Sequence, residues 1–272
     1  AVKKILHLLE TPDPVWGSRE AEGTDLTLEN VSFSYDGERQ VLKNINMTFP
    51  KAGMSAIVGE SGCGKSTIVR LADGNSVPLM GQILVGGIPL KELSRSDFYS
   101  HIAVVSYNTY IFNDTVRNNF LLAAPEASEA QMKEALEKVN LWNFIQENGG
   151  LDKVIAEDAS NISGGQKQRL ALAVNLVADK DIYIFDEATS NIDVESEAII
   201  MKNIKALSRK KNVIVISHRL ENIVPADQIY FLAAGEVKEH GSHEELMAAG
   251  QGYAELYRRQ KALEEGYMEV MA

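Results

Sequence analysis

MSAIVGESGCGKSTIVRLADG, residues 54–74, is the stretch on which the reading of this chain turns. MSAIV is a short apolar run suited to a buried strand. GESGCGKS, 59–66, fits the pattern G-x-x-x-x-G-K-[ST] between a strand and a helix, the context that pattern requires. STIVRLADG then reads as a helix that stops at Gly74. The glycines let backbone N–H groups turn toward one concave site, with a helix N-terminus behind it, and that combination binds phosphate. Gly59, Glu60, Ser61, Gly62, Cys63, Gly64, Lys65, Ser66 and Thr67 are therefore the candidate phosphate site. Lys65 is placed to reach the outer phosphates, and the Ser66 hydroxyl to ligate Mg²⁺. A plain glycine turn is the bland alternative, and both flanking elements count against it. Cys63 reads as a small, variable loop residue rather than a redox switch.

Outward from this loop the pattern is α/β. LTLENVSFSY, 26–35, and VLKNINMTF, 41–49, read as strands near an antiparallel edge. DIYIF, 181–185, NVIVIS, 212–217, and QIYFLAAGEV, 228–237, are continuous apolar runs, as in strands covered on both faces of a parallel sheet. Between them, roughly 113–180, the chain turns helical. SEAQMKEALEKV has Ser128 as N-cap and Met132, Leu136 and Val139 at helical spacing. From Glu244 to Tyr267 the pattern is helical again. IYIFDE, 182–187, delivers Asp186 to the carboxyl edge of the sheet, where ligands bind in such folds. Asp186 is a candidate for holding Mg²⁺, through water. Glu187 beside it is a candidate general base for a water attacking a γ-phosphate.

Composition narrows the classes. The 272 residues are 45% hydrophobic, enough for one large domain or two small ones. A net charge of −11 argues against non-specific nucleic-acid binding, because such a surface repels phosphate backbones. One cysteine leaves no internal disulfide framework. No apolar run approaches the ~18 residues of a membrane span, and no signal peptide is visible. The chain opens at Ala1 rather than Met, which suggests a piece of a longer polypeptide. Residues 1–10, with Ile5, Leu6, Leu8 and Leu9, suit an amphipathic helix, and TPDPVWGSREAEGTD, 11–25, reads as a linker.

NISGGQKQRLALAVNLV, 161–177, repeats the theme of a Ser-Gly-Gly opening a helix. A chain with one triphosphate site has little use for a second phosphate-suited helix start. The economical reading is that this one faces the nucleotide of a neighbouring subunit. GESGCGKST, ISGGQ, IYIFDEATSNID and ISHRL together closely resemble the nucleotide-binding domain of ABC transporters, over about residues 25–258. The ending GEVKEHGSHEELMAAGQGYAELYRRQ resembles the exporter branch, in which this domain follows a membrane domain in one polypeptide.

The resemblance implies roles by motif. Tyr35 in FSYDG matches the aromatic that stacks on adenine. Ser163, Gly164, Gly165 and Gln166 match the signature that closes over the partner's γ-phosphate. SNID, 190–193, matches a loop at the dimer interface ending in Asp193, and His218 matches a switch histidine at the γ-phosphate. Ile162 and Asn191 are minor departures. Tyr107 is a larger one: after the strand ending in VVS the family carries a glutamine that reaches the metal and the attacking water. A neutral phenol is a poor ligand for a hard cation. Asn108 has an amide, but a strand-like path points it to the other side. Three readings of Tyr107 stay open: a water-mediated contact to Mg²⁺, packing against the membrane domain, or a tolerated substitution.

The resulting expectation is an α/β P-loop NTPase with a RecA-like core, an antiparallel β edge subdomain and a helical subdomain over about 113–180. Residues 1–24 are expected to link it to a membrane domain and 259–272 to form a C-terminal tail. Two such domains would sandwich two ATP molecules with Mg²⁺ and drive export from the cytoplasmic face of a membrane. The rivals are an ABC ATPase acting on nucleic acid or ribosomes, and a binding-only subunit of a heterodimer.

Overall fold

The computed structural model of the chain describes residues 16–107 and 109–271. The helix expected over 1–10 and the side chain of Asn108 lie outside the described residues.

Two sheets organise the molecule. The larger has the order β10-β9-β3-β8-β7-β6. Strands β3 (Gly53–Val58), β6 (Ile102–Ser106), β7 (Ile182–Asp186), β8 (Asn212–Ile216) and β9 (Gln228–Ala233) run parallel, and β10 (Glu236–Gly241) is antiparallel at the edge. Alternate residues of these strands feed different cores. Met54, Ala56, Tyr183, Phe185, Val213 and Val215 face one; Ile57, Ile182, Ile184, Ile214 and Ile216 face the other. Both faces are dry, which is why the sequence shows continuous apolar runs instead of alternation.

The first core is closed by helices α3 (Val116–Ala123), α4 (Glu129–Lys138), α5 (Trp142–Glu147) and α6 (Gly164–Val177), through Phe120, Met132, Leu136, Ile145, Leu170 and Leu172. Apart from an isolated bridge, Thr115 to Val154, this segment is helical or irregular, as its periodicity predicts. Ser128 caps α4 in a reciprocal box with Gln131, which fixes the helix start from local chemistry alone. The second core joins the large sheet to α1 (Lys65–Ala72), to α2 (Arg95–His101) and to a four-stranded antiparallel sheet of order β2-β1-β4-β5. That sheet contains β1 (Leu26–Ser34), β2 (Gln40–Phe49), β4 (Met80–Val85) and β5 (Ile88–Pro89). Residues before β1 are held to it: the Gly17 N–H donates to the Leu93 carbonyl at 2.9 Å, and Trp16 packs on Phe98 with ring centroids 5.3 Å apart. Helices α7 (Val194–Ser208), α8 (His243–Ala249) and α9 (Gly252–Met271) complete the fold.

The structure corrects one boundary and adds a region. QIYFLAAGEV is not one strand but a hairpin, turning at Ala234 (φ 52°) and Gly235 (φ 79°). Two successive left-handed residues make the tight turn that matches strand twist. A side chain at Gly235 would meet the Val41 carbonyl at 2.3 Å. The segment 75–101 drew no expectation, and there the chain forms β4, β5 and α2. Among the described residues no helix is long and apolar enough to cross a membrane.

Candidate active site

The site lies at the carboxyl ends of β3, β7 and β8. β3 runs into the glycine loop, where Gly59, Gly62 and Gly64 take φ values of 152°, 79° and 113°. At Gly59 a Cβ would lie 2.1 Å from the Leu232 carbonyl, and at Gly64 2.6 Å from a Leu42 methyl, so the loop is glycine by steric need as well. Gly64 precedes α1, and no side chain caps that helix. Lys65 is buried, and its ammonium sits inside the loop, donating to the Gly59 carbonyl at 2.8 Å and the Glu60 carbonyl at 2.9 Å. Cys63 is buried beside it, Sγ 3.9 Å from Nζ, while Ser61 and Ser66 are exposed. Thr67 is buried, and its hydroxyl lies 3.0 Å from that of Tyr35. This contact brings Tyr35, half exposed and edge-on to Phe33, to the start of α1.

Strand β7 ends in the two carboxylates. Asp186 has a buried oxygen, Oδ1, with no hydrogen-bond partner. Burial, then the neighbouring Glu187 charge, push its pKa up to about 6, against the pull of Lys65 and His218. Lys65, Asp186, Glu187 and His218 all follow the carboxyl ends of the adjacent strands β3, β7 and β8. An unpartnered buried carboxylate oxygen beside a lysine suits a cation held jointly with phosphate oxygens. Among the described residues no cluster of three His, Cys, Asp or Glu forms a cage for a metal. Glu187 takes φ 53°, a left-handed conformation uncommon outside glycine. Its N–H donates to the Ile216 carbonyl at 2.9 Å, and its own carbonyl accepts from Gln168 Nε2 at 3.2 Å. So held, its Oε1 lies 2.6 Å from His218 Nε2.

Ser163, Gly164, Gly165 and Gln166 stand elsewhere, at the start of α6. Ser163 Oγ accepts from the Gln166 N–H at 3.2 Å and Gln166 Oε1 accepts from the Ser163 N–H at 2.8 Å, so the pair caps the helix. Gly164 is open, whereas a Cβ at Gly165 would come 2.9 Å from the Asn191 carbonyl, where the 190–193 loop passes. Asp193 caps α7 by accepting from the Ser196 N–H at 2.9 Å. Tyr107 follows β6, whose Ser106 is in register with Asp186, and is 56% exposed.

Sequence reasoning passed over Gln168, Glu197, Arg219 and Gln260. Gln168 is buried against Glu187. Glu197 is buried, ion-pairs with Arg219 and accepts from Thr189 Oγ1 at 2.7 Å. A signal for it existed: Glu197, Ile200 and Ile204 share one helix face, and a carboxylate on an apolar face needs a partner. A separate cavity of about 210 Å³, lined by Trp16, Val77 and Leu90 among others, contains none of these groups.

A family model described as ABC transporter matches residues 42–190, from β2 through the carboxylates to the 190–193 loop. The chain belongs to the ABC transporter family. It carries the ATPase domain of that family. It is 42% identical over 269 residues to an uncharacterized ABC transporter ATP-binding protein of Haemophilus influenzae, covering 97% of this chain and 48% of that protein. It is 40% identical over 249 residues to the ATP-dependent lipid A-core flippase of Haemophilus ducreyi, covering 90% and 43%. A solved structure of a bacterial Atm1-family ABC exporter with ATP bound superposes with a TM-score of 0.87 at 32% identity, covering 96% of this chain and 47% of that one. The chain thus spans less than half the length of these relatives. The P-loop α/β fold expected from the motifs agrees with this match.

Proposed function

We propose that this domain hydrolyses ATP to drive export, working as a dimer on the cytoplasmic side of a membrane. The observation that carries the reading is the convergence at one sheet edge of a phosphate loop around Lys65, the unpartnered Asp186 oxygen and the Glu187–His218 pair. The loop N–H groups and Lys65 bind the phosphates, and the exposed face of Tyr35 takes the adenine. Ser66 and Asp186 hold Mg²⁺, which when bound neutralises phosphate charge. Glu187 accepts a proton from, or orients, the attacking water, and His218 fixes Glu187 and reaches toward the γ-phosphate. Ser163 to Gln166 serve the partner's nucleotide, so each site is complete only between two such domains, whether identical or related. The similarity to an ATP-dependent lipid A-core flippase and to an Atm1-family exporter supports the direction of transport; the cargo belongs to membrane helices.

A membrane-domain partner is supported by the exposed side chains Tyr107, Tyr110, Phe112 and Leu122 within one stretch of sequence, each more than half accessible. Such a run of large apolar groups marks a docking face. We assign residues 1–24 as the connection to that partner, 25–258 as the ATPase unit with helical subdomain 113–180, and 259–272 as its tail. The net charge of −11 disfavours nucleic acid as the partner. Glu187→Gln tests the reading. It should bind Mg-ATP, hydrolyse it at least a hundredfold more slowly and elute as an ATP-dependent dimer on size exclusion. Wild-type turnover by the variant would refute it.

A further inference from the structure

The loop that carries His218 is gripped from outside the sheet by one side chain of the C-terminal helix. Gln260 Nε2 donates to the His218 carbonyl at 2.7 Å, and Gln260 Oε1 accepts from the Leu220 N–H at 3.1 Å. One amide therefore spans Arg219 and fixes the peptide groups on both sides of it. The carboxamide donates from its nitrogen and accepts at its oxygen at once; a carboxylate would face the His218 carbonyl with like charge. The preceding residue, Arg259, pairs with Glu60 of the phosphate loop at 2.7 Å. Helix α9 thus touches both loops that flank the outer phosphates. From the sheet side the same segment is held by Glu197, which ion-pairs with Arg219 and accepts from Asn222 Nδ2 at 2.9 Å.

We propose that Gln260 is a positioning residue for His218, which makes the C-terminal helix part of the hydrolytic apparatus rather than a passive tail. The inference rests on the role given above to His218. His218 itself is 56% exposed, so little packing fixes its ring; its backbone is what sets its reach. The contact to Glu187 spans 2.6 Å, and geometry of that kind tolerates little drift, since a misplacement of about 1 Å can cost on the order of a hundredfold in rate. The phosphate nest does not depend on Gln260, so ATP affinity is untouched and the loss falls on turnover.

The test compares Gln260→Met, Gln260→Glu, His218→Ala and the exposed control Arg258→Ala, all in this 272-residue chain. Steady-state ATPase against Mg-ATP concentration is measured with hydrogen exchange at the Leu220 amide. Gln260→Met should lower kcat about five- to tenfold, the effect of two neutral hydrogen bonds partly replaced by water, with KM within about twofold. Exchange at Leu220 should quicken with no change in thermal midpoint. Gln260→Glu, which keeps the acceptor and loses the donor, should lose turnover while Leu220 stays protected. Arg258→Ala should match wild type. Loss of turnover in His218→Ala with none in either Gln260 variant would overturn the clamp and leave the role of His218 standing. Full turnover in His218→Ala would remove that role, and the clamp with it.

Discussion

Replacing Asp186 with asparagine should make the metal-free domain more stable while destroying its activity. Asp186 is the last residue of β7, and its Oδ1 is buried without a partner. Its pKa is pushed up to about 6 from 3.8, first by burial and then by the Glu187 charge. The sign follows from linkage. The folded state holds the proton more tightly than the unfolded chain, so the stability this proton confers is complete below about pH 4 and is gone above about pH 6. At pH 7.5 both states are ionised and the folded one carries the desolvated charge. Two pKa units at 1.36 kcal/mol each give about 3 kcal/mol; solvent reaches part of the side chain, so we take about half, 1–2 kcal/mol. For a domain of this size that corresponds to roughly 2–4 °C in Tm. Calorimetry of both proteins in EDTA at pH 7.5 and pH 4.5 measures it. Asp186→Asn should melt higher at pH 7.5, the gap should shrink at pH 4.5, and Mg-ATP should raise the wild-type Tm far more than that of the variant. A variant that melts lower at pH 7.5, or a gap that ignores pH, would refute the assignment of Asp186 as a charge held in readiness for a cation.

Two further outcomes follow from the same site. Lys65→Ala should lose ATP binding by at least a hundredfold in calorimetric titration, because its ammonium is the cation at the centre of the loop; unchanged affinity would remove the phosphate-site assignment. Tyr107→Gln should raise turnover about ten- to a hundredfold with little change in ATP affinity, since an amide oxygen aids the water and metal mainly in the transition state, where one hydrogen bond is worth about 1–3 kcal/mol. A fall in its turnover would mean that the phenol itself serves the site, and no change would leave its exposed ring to partner docking.

What the sequence settled by itself was whatever is decided within a few residues along the chain. The Gly59, Gly62 and Gly64 pattern has one compact conformation, since each takes a φ that favours glycine. The strands β3, β7 and β8 are apolar throughout because both faces are covered, and the capping boxes at Ser128 and Ser163 announce helix starts from three residues away. The hairpin at Ala234-Gly235 was hidden because its turn lacks the Asn-Gly or Asp-Gly signal and sits inside an apolar run. Other features needed the fold. Asp186, His218 and Lys65 meet because β3, β8 and β7 are adjacent in the sheet although far apart in sequence. Gln168 reaches Glu187, and Gln260 reaches His218, across packed elements whose placement no local pattern encodes. Local sequence chooses backbone conformation through sterics and nearby hydrogen bonds; which side chains then share one small volume is chosen by the packing of the whole sheet and its helices.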